Sequence, residues 1–319
     1  MLRLLNGRYG VGSRTLWNIR LLATQSSPLG VDHSIENNVK SETNRLAKTG
    51  EKFWEKVSLK CDGSQYVVQL DSKTILTPLG HPLAVDRDRS LLAMLLQKEW
   101  TNLTSLGVKT YSLPLTSLVS RCIDLEIVNR PGGDLESKAK IGGDRERISQ
   151  DLLRYLDTDT LLVFCSKSEY EGALRKAQDQ VYLPIINSVE RFLSSYSGSA
   201  VKFRVLDADT DGLRGNQQLE ATRDAAKKYL DTLSLWDLAV FEKTVLTTKS
   251  FICGVLLLQN KSLTDCQEGL KSSMESIAQA ATLEIIYQTE RWGEVEDTHD
   301  VDKRDVRRNI HAAAIVAYK

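Results

Sequence analysis

The sequence predicts an α+β fold in which a small N-terminal α+β domain with antiparallel strands precedes a larger, mainly α-helical domain. Short alternating segments over residues 52–85, joined by an Asp-Gly-Ser turn at residues 62–64, are typical of β-hairpins. A Pro- and Gly-rich stretch at residues 129–143 follows, and beyond it apolar residues recur at helical spacing. We therefore assign the α+β domain to residues 52–145 and the helical domain to residues 146–319.

Helical periodicity already appears inside the first domain. Leu92, Leu96, Trp100 and Leu103 follow one another at spacings of four, four and three residues. This spacing places them on one face of a helix. We expect that face to be buried, because every residue on it is large and apolar. Trp100 is accordingly assigned as a structural anchor of the first domain.

The second half of the chain is expected to consist mainly of long helices. Before them, residues 169–196 carry helical periodicity, with Pro184 near the start of a new segment because proline disrupts a helix interior. Residues 129–143 are expected to form a loop. The approximate ranges of the last four predicted helices are 216–233, 236–258, 263–291 and 302–317.

Composition excludes two broad classes of protein. The 319 residues include 42 basic and 42 acidic side chains, so the formal net charge is zero. A chain without basic excess lacks the electrostatic signature of nucleic-acid binding. The longest apolar run, residues 251–258, is far shorter than the roughly 20 residues that a membrane span requires. We expect neither a nucleic-acid partner nor membrane insertion.

The first residues are typical of a mitochondrial presequence. Residues 1–31 contain no acidic residue and interleave arginines with large apolar side chains. A disordered basic tail is the alternative interpretation. Residues 32–51 are polar and are expected to form a linker. The location predicted from this segment is the mitochondrial matrix. The arginines are Arg3, Arg8, Arg14 and Arg20.

Common catalytic and cofactor-binding motifs are absent from the sequence. It contains no phosphate-binding glycine loop, no dinucleotide-binding glycine motif and no Gly-x-Ser-x-Gly nucleophile elbow. The five cysteines have no two-residue spacing of the kind found in zinc or redox sites, and are expected to be free thiols. We assign no catalytic residue, cofactor or metal.

One acidic stretch with a histidine leaves an alternative open. Residues 292–300 contain two glutamates, two aspartates and one histidine. Such a group can hold a divalent metal, which would make the protein a metal-dependent hydrolase. The favoured interpretation is a polar turn between two helices, because the zinc spacing of two histidines on one helical face is missing. The side chains concerned are Glu294, Glu296, Asp297, His299 and Asp300.

Glu284 occupies an unusual position in the predicted helix 263–291. On a continuous helix it falls about 20° from Ile277, at the edge of an apolar stripe. A carboxylate there is either paired internally with a basic side chain or held at a contact surface. The residue pattern leaves both possibilities open. The stripe consists of Leu270, Met274, Ile277, Ala281 and Ile285.

An ordered set of segments extends over about residues 52–316. The segments are FWEKVSL, YVVQLDSKTILTPLGHPLAV, the pair Glu99-Trp100, LPLTSLVSRCID, YLDTDTLL, the stretch from Gln178 to Pro184, TTKSFICGVLL and LEIIYQTERWGEVEDTHD. Together they resemble the chaperone family that escorts the alpha subunit into the catalytic head of ATP synthase, the ATP synthase mitochondrial assembly factor 2 family.

This resemblance implies a two-domain, non-enzymatic chaperone. Its partner would be the unassembled alpha subunit, whose exposed apolar assembly surface it would cover and keep from aggregating until the beta subunit replaces it. A structural subunit that stays in the mature complex is a further alternative, which the sequence does not exclude.

The densest resemblance lies in residues 284–300, and we expect the partner-binding site there. The number of carboxylates exceeds what the end of a structural helix needs. Gly293 is expected to stop the helix as a second structural anchor, since glycine tolerates the left-handed conformation. The expected partner-binding residues are Glu284, Glu290, Trp292, Glu294 and Glu296.

The presequence prediction is tested by sequencing the N-terminus of the mature protein. We expect it to begin within roughly residues 23–31, because import removes the basic, acid-free segment. Removing the four arginines leaves 38 basic against 42 acidic residues and a net charge of −4. A mature protein that begins at Met1 or Leu2 would contradict the prediction.

Overall fold

The structure, a computed structural model, describes residues 54–103, 112–132, 134–212, 215–261, 269–293 and 299–318, with the backbone alone for residues 299–303. The presequence and the linker expected over residues 1–31 and 32–51 lie outside these ranges. The described part begins with an antiparallel sheet and continues as a mainly helical body, as the sequence predicts.

The sheet is built around one central strand. Strand β2 pairs antiparallel with β1 on one edge, and with β3 and β4 on the other. The hairpin between β1 and β2 turns at Gly63, whose φ of 56° favours glycine. The strands are β1 (Val57–Asp62), β2 (Gln65–Leu70), β3 (Lys73–Thr74) and β4 (Ala84–Asp86).

Helix α1 (Ser90–Thr101) covers this sheet through the face that the spacing predicts. Leu92, Leu96 and Trp100 are buried. The indole of Trp100 packs edge-on against Trp54, with ring centroids 5.6 Å apart. Its Nε1 donates a hydrogen bond of 2.9 Å to Thr116 Oγ1 on helix α2 (Pro114–Val128). Trp100 therefore connects α1 to Trp54, which precedes the first strand, and to helix α2.

Glu99, beside Trp100, caps the start of α2. Its carboxylate accepts hydrogen bonds from the backbone N–H groups of Leu115 and Thr116, both at 2.8 Å, and from Thr116 Oγ1 at 2.6 Å. The first N–H groups of a helix have no partner within the helix, so an acceptor there stabilises the helix start. At these two adjacent positions, Glu99 caps α2 and Trp100 packs in the core of the first part of the chain.

The rest of the described chain is mainly helical, and it also contains the parallel pair β5 (Val163–Phe164) and β6 (Leu206–Asp207). Within it, no helix is long and apolar enough to span a bilayer. Helix α7 is central, since it packs against α2, α8 and α11. The helices are α3 (Leu135–Lys140), α4 (Arg145–Leu153), α5 (Ala173–Ser194), α6 (Glu220–Thr232), α7 (Leu235–Thr248), α8 (Phe251–Gln259), α9 (Met274–Ala281), α10 (Leu283–Trp292) and α11 (His299–Ala317).

Two of the long helices predicted from periodicity are interrupted. The one predicted at 236–258 breaks at Lys249, which has a φ of 56°, and Ser250 then caps α8 by accepting from the N–H of Cys253. The described part of the one predicted at 263–291 breaks at Thr282, whose hydroxyl donates back to Ala278 O at 2.8 Å. Apolar spacing continues across both breaks, and so does not reveal them.

Two further expectations are also wrong. Helix α5 continues through Pro184, because Tyr182 and Ile186 on either side are buried and hold both turns in the core. The stretch 129–143 is not wholly a loop, since it contains α3. The start of α3 is capped by Asp134, which accepts from the N–H of Ser137 at 3.0 Å.

A buried ion pair joins the two parts of the chain. The Arg121 guanidinium on α2 donates to both carboxylate oxygens of Glu242 on α7, at 2.8 and 2.9 Å, and to Ile141 O. A second link runs from Arg89, which donates to Val316 O at 2.8 Å and stacks on Trp236. The described buried apolar residues form one cluster across both parts, and a domain boundary near residue 145 stays a prediction.

Trp100→Arg is expected to destabilise the protein strongly. The change removes a large aromatic side chain that is 1% exposed and leaves a charge in its place. Truncating such a side chain alone costs about 3–5 kcal/mol, and an unpaired buried charge adds to the cost. Thermal unfolding measures the effect. Leu91→Arg on the same helix is the control, since Leu91 is 68% exposed. Equal melting temperatures for the two variants would contradict the prediction.

Glu99→Gln is expected to flatten the pH dependence of unfolding. Withdrawal from water raises the pKa of the Glu99 carboxyl from 4.5 to about 7, against the lowering effect of its hydrogen bonds. Because the folded state holds the proton more tightly, this group's stabilisation is fully present below pH 4.5 and is lost as the pH rises through 7. The loss is at most about 3 kcal/mol.

Urea unfolding of both proteins, below and above neutral pH, measures this effect. As the pH rises, the free energy of unfolding of the wild type should fall relative to that of the variant, because glutamine does not titrate. Comparing the two proteins cancels the contributions of the other carboxyl groups. Parallel curves would mean that Glu99 does not titrate in this range.

Candidate functional site

Helix α10, which carries most of the expected partner-binding residues, lies on the surface. Leu283 is its buried residue, whereas Glu284, Glu290 and Trp292 are exposed. The helix stops at Gly293, as expected, but with φ 82° and ψ 164° rather than in the left-handed helical region. Only glycine adopts that conformation readily. The end of α10 is therefore set by the glycine.

The surface position of Glu284 does not follow from the apolar stripe of one continuous helix. The break at Thr282 separates α9 from α10, so an angle measured from Ile277 along one continuous helix is wrong. The Glu284 carboxylate accepts a hydrogen bond of 3.0 Å from Gln288 Nε2, one turn further along α10. Among the described side chains, no basic group forms an ion pair with it. Within that part of the chain, internal pairing with an arginine finds no support.

Three aromatic rings cluster where α10 meets the turn Glu169–Gly172. The ring of Tyr170 packs edge-on against Tyr287, with centroids 6.2 Å apart, and against Trp292, with centroids 5.7 Å apart. Trp292 nevertheless remains 68% exposed. We call Tyr170, Tyr287 and Trp292 the aromatic triad. It presents ring surface to solvent at one edge of the helical body.

The turn that carries Tyr170 is strained. Tyr170 and Glu171 both have positive φ values, 49° and 56°, which non-glycine residues seldom adopt. Each such residue costs on the order of 1–3 kcal/mol and persists only where the surroundings fix it. The turn therefore holds Tyr170 in a position that the chain alone would not favour.

The segments on both sides of the turn are fixed by hydrogen bonds. Asp209 accepts from Ser166 Oγ at 2.6 Å and from the N–H of Lys167 at 3.1 Å. Arg175, in the first turn of α5, donates to Cys165 O at 3.1 Å and to Asp207 Oδ2 at 2.6 Å. These contacts hold the base of the turn and so preorganise the triad.

Carboxylates of both elements lie near Tyr170. Partial burial raises the pKa of the Tyr170 phenol, and Glu284 and Glu169 raise it further through their negative charge. Burial likewise raises the pKa of the neighbouring Cys165 thiol to about 11, with contributions from Glu169 and Glu284. This thiol is therefore uncharged at neutral pH and a poor nucleophile.

Part of the expected site lies outside the described residues. Glu294, Glu296 and Asp297 fall in the undescribed stretch 294–298, and His299 and Asp300 are described by backbone alone. The metal-site alternative rests on these five side chains. Within the described side chains, no group of three or more His, Cys, Asp or Glu residues is placed to hold a metal.

Sequence reasoning did not identify Tyr170 or Tyr287 as site residues. Tyr287 lies three residues after Glu284 on α10 and shares a face with it, so helical spacing contained a usable signal. Tyr170 had none, because positive φ at a tyrosine has no sequence signature. Its contact with α10 joins residues more than a hundred positions apart.

A cleft of about 520 Å³ lies elsewhere, between the sheet and the start of α7. Three of the charged side chains that line it contact other lining residues. Lys261 pairs with Asp237 at 2.6 Å, and Arg89 stacks on Trp236 at 4.4 Å.

Comparisons with known proteins give a consistent result. A family model described as ATP12 chaperone protein matches residues 51–190. The Saccharomyces cerevisiae protein named Protein ATP12, mitochondrial, is 57% identical over 317 residues, which cover 98% of each chain. The Schizosaccharomyces pombe protein atp12, mitochondrial, is 32% identical over 266 residues, which cover 83% of this chain and 81% of that protein.

Two crystal structures share the fold. Atp12 from Paracoccus denitrificans matches with a TM-score of 0.58 at 17% identity, over 84% of this chain and 99% of that one. The protein Atu1473 from Agrobacterium tumefaciens matches with a TM-score of 0.59 at 21% identity, over 84% and 85% of the two chains. At these identities the likeness concerns the fold.

Proposed function

The chain belongs to the ATP12 chaperone family of mitochondrial ATP synthase assembly factors, and from this premise we propose that it binds the unassembled alpha subunit of ATP synthase. In this proposal it covers the apolar assembly surface of the alpha subunit and prevents aggregation until the beta subunit replaces it. It acts in the mitochondrial matrix, in agreement with the mitochondrial names of both yeast relatives.

The observation that supports a binding role most directly is the exposed face of α10. Trp292 is 68% exposed beside Tyr170 and Tyr287, and the Glu284 carboxylate beside them has no ion-pair partner among the described residues. Exposed aromatic rings are typical of protein-contact surfaces, and the rims of such surfaces are polar. We propose that Glu284, Glu290 and Trp292 contact the alpha subunit, together with Glu294 and Glu296 of the adjoining undescribed stretch.

Such a contact suits the task of an assembly chaperone. An orphan subunit exposes a large apolar patch that promotes aggregation. The chaperone must bind this patch with moderate affinity, so that the larger interface with the beta subunit can displace it. A limited face of a few aromatic and acidic side chains meets this requirement better than a large apolar groove.

The role proposed is non-enzymatic, since the family is one of chaperones and binding followed by displacement needs no bond cleavage. The alternative of a metal-dependent hydrolase built on His299 gains no support from the family. Metal analysis of the purified protein separates the two, because a hydrolase of that kind requires stoichiometric metal.

Glu284→Lys is expected to abolish chaperone activity while leaving the fold intact. The side chain is exposed and bonds only to Gln288 among the described residues, so the melting temperature should change little. Reversing its charge should weaken binding to the alpha subunit at least tenfold, or about 1.4 kcal/mol. Light scattering of the aggregating alpha subunit, with thermal unfolding of the same preparation, measures both quantities.

Asp224→Lys provides the matched control. Asp224 is an exposed carboxylate on α6, so its reversal changes the net charge by the same amount at a different surface. The control should protect the alpha subunit as the wild type does. A Glu284→Lys variant that is stable and still protects the alpha subunit would remove Glu284 from the proposed contact.

A further inference from the structure

The aromatic triad already carries a cation. The guanidinium of Arg291 lies 5.4 Å from the ring centroid of Tyr170 and 5.9 Å from that of Trp292. Both distances fall within the range in which the negative face of an aromatic ring attracts a cation. Arg291 is exposed and forms no ion pair with a described carboxylate. The triad therefore accepts a guanidinium, and the one it holds is exposed to solvent.

The charges around the triad are predominantly negative and unpaired. The turn Glu169–Gly172 and helix α10 contain four carboxylates and one guanidinium, a net charge of −3. None of these carboxylates forms an ion pair among the described residues. They are Glu169, Glu171, Glu284 and Glu290.

Elsewhere in the described chain some exposed carboxylates have basic partners, and others, such as Asp224, have none. Glu136 pairs with Lys140 at 2.8 Å, and Glu275 pairs with Arg307 at 2.7 Å. At the triad, carboxylates without an ion pair among the described residues lie beside exposed aromatic surface. This combination attracts a positively charged partner and disfavours a negatively charged one.

The strained turn makes the triad an efficient binding surface. Tyr170 is held by its backbone conformation and by the hydrogen bonds at the base of the turn, so little freedom is lost when a partner docks. Rigid aromatic side chains with large exposed rings are also those most often found as binding hot spots.

We infer that the triad binds a segment of the partner that carries an arginine or lysine beside aliphatic side chains. The incoming cation lies on the rings in place of Arg291, its charge is balanced by Glu284 and Glu169, and the aliphatic neighbours cover Trp292. This inference rests on the proposed function in one respect: the alpha subunit supplies the segment.

The test uses two fluorescent model peptides of equal length, one alternating arginine with leucine and one alternating glutamate with leucine. Their binding to the full chain is measured by fluorescence anisotropy at low and at moderate salt. The arginine peptide should bind at least about tenfold more tightly, and salt should weaken its binding. Equal affinity for the two peptides would overturn the inference.

Trp292→Ala and Leu91→Ala provide the matched pair of variants. Both side chains are 68% exposed, but Leu91 lies on α1, outside the triad. Trp292→Ala should weaken binding of the arginine peptide about fivefold or more, whereas Leu91→Ala should leave it unchanged. Glu284→Gln should make binding of the arginine peptide depend less on salt concentration, because one carboxylate is removed. Equal effects of the Trp292 and Leu91 variants would also overturn the inference.

Protection of the alpha subunit from aggregation by the wild-type chain is measured in parallel. If the wild type protects the alpha subunit but binds both peptides equally, the inference is wrong and the proposed function stands. If it prefers the arginine peptide but does not protect the alpha subunit, the peptide chemistry is right and the identity of the partner is wrong.

Discussion

The buried bond between Arg121 and Glu242 is the contact on which the rest of the structure depends. Arg121 is 2% exposed and donates to both carboxylate oxygens of Glu242, whose side chain is 13% exposed, so the guanidinium has little access to water as an alternative partner. Removing one member of such a pair typically costs about 3–5 kcal/mol, because the other charge is left buried. The bond fixes α2 against α7, and α7 in turn supports α8 and α11. The bond thus links the sheet-containing part to the helical body, together with the Arg89 contacts and the shared apolar core.

Buried charged groups also connect distant segments at the starts of two helices. There, a carboxylate from another part of the chain accepts hydrogen bonds from backbone N–H groups. Glu99 caps α2, and Asp159 accepts from the N–H of Ile252 at the start of α8. Withdrawal from water raises the pKa of Asp159 to about 6, against the lowering effect of these bonds. Local helix starts are therefore fixed by tertiary contacts, at a cost in desolvation that the surrounding packing must offset.

Because tertiary contacts fix these helix starts, the sequence could predict only features that arise from local patterns. The first hairpin and the buried face of α1 follow from local patterns, since the turn residues and the apolar spacing lie within single segments. The breaks at Lys249 and Thr282 do not, because apolar spacing continues through them and the cap of α8 comes partly from Asp159. The sequence alone predicts that the carboxylates on α10 belong to the candidate site, because they are numerous at the end of that helix. The aromatic triad was not, since it requires a left-handed tyrosine to meet a helix far along the chain.

The link between Arg89 and Val316 spans 227 positions and has a consequence for the order of folding. A chain that enters a compartment from its N-terminus exposes its sheet and first helices long before their partners arrive. Arg121 binds its partner only after Glu242, 121 positions later, has emerged, and Arg89 binds its partner only after Val316 has emerged. Contacts of such sequence separation form slowly. A chaperone with this topology completes its own fold only after nearly all of it has emerged, and until then it is itself an aggregation-prone client.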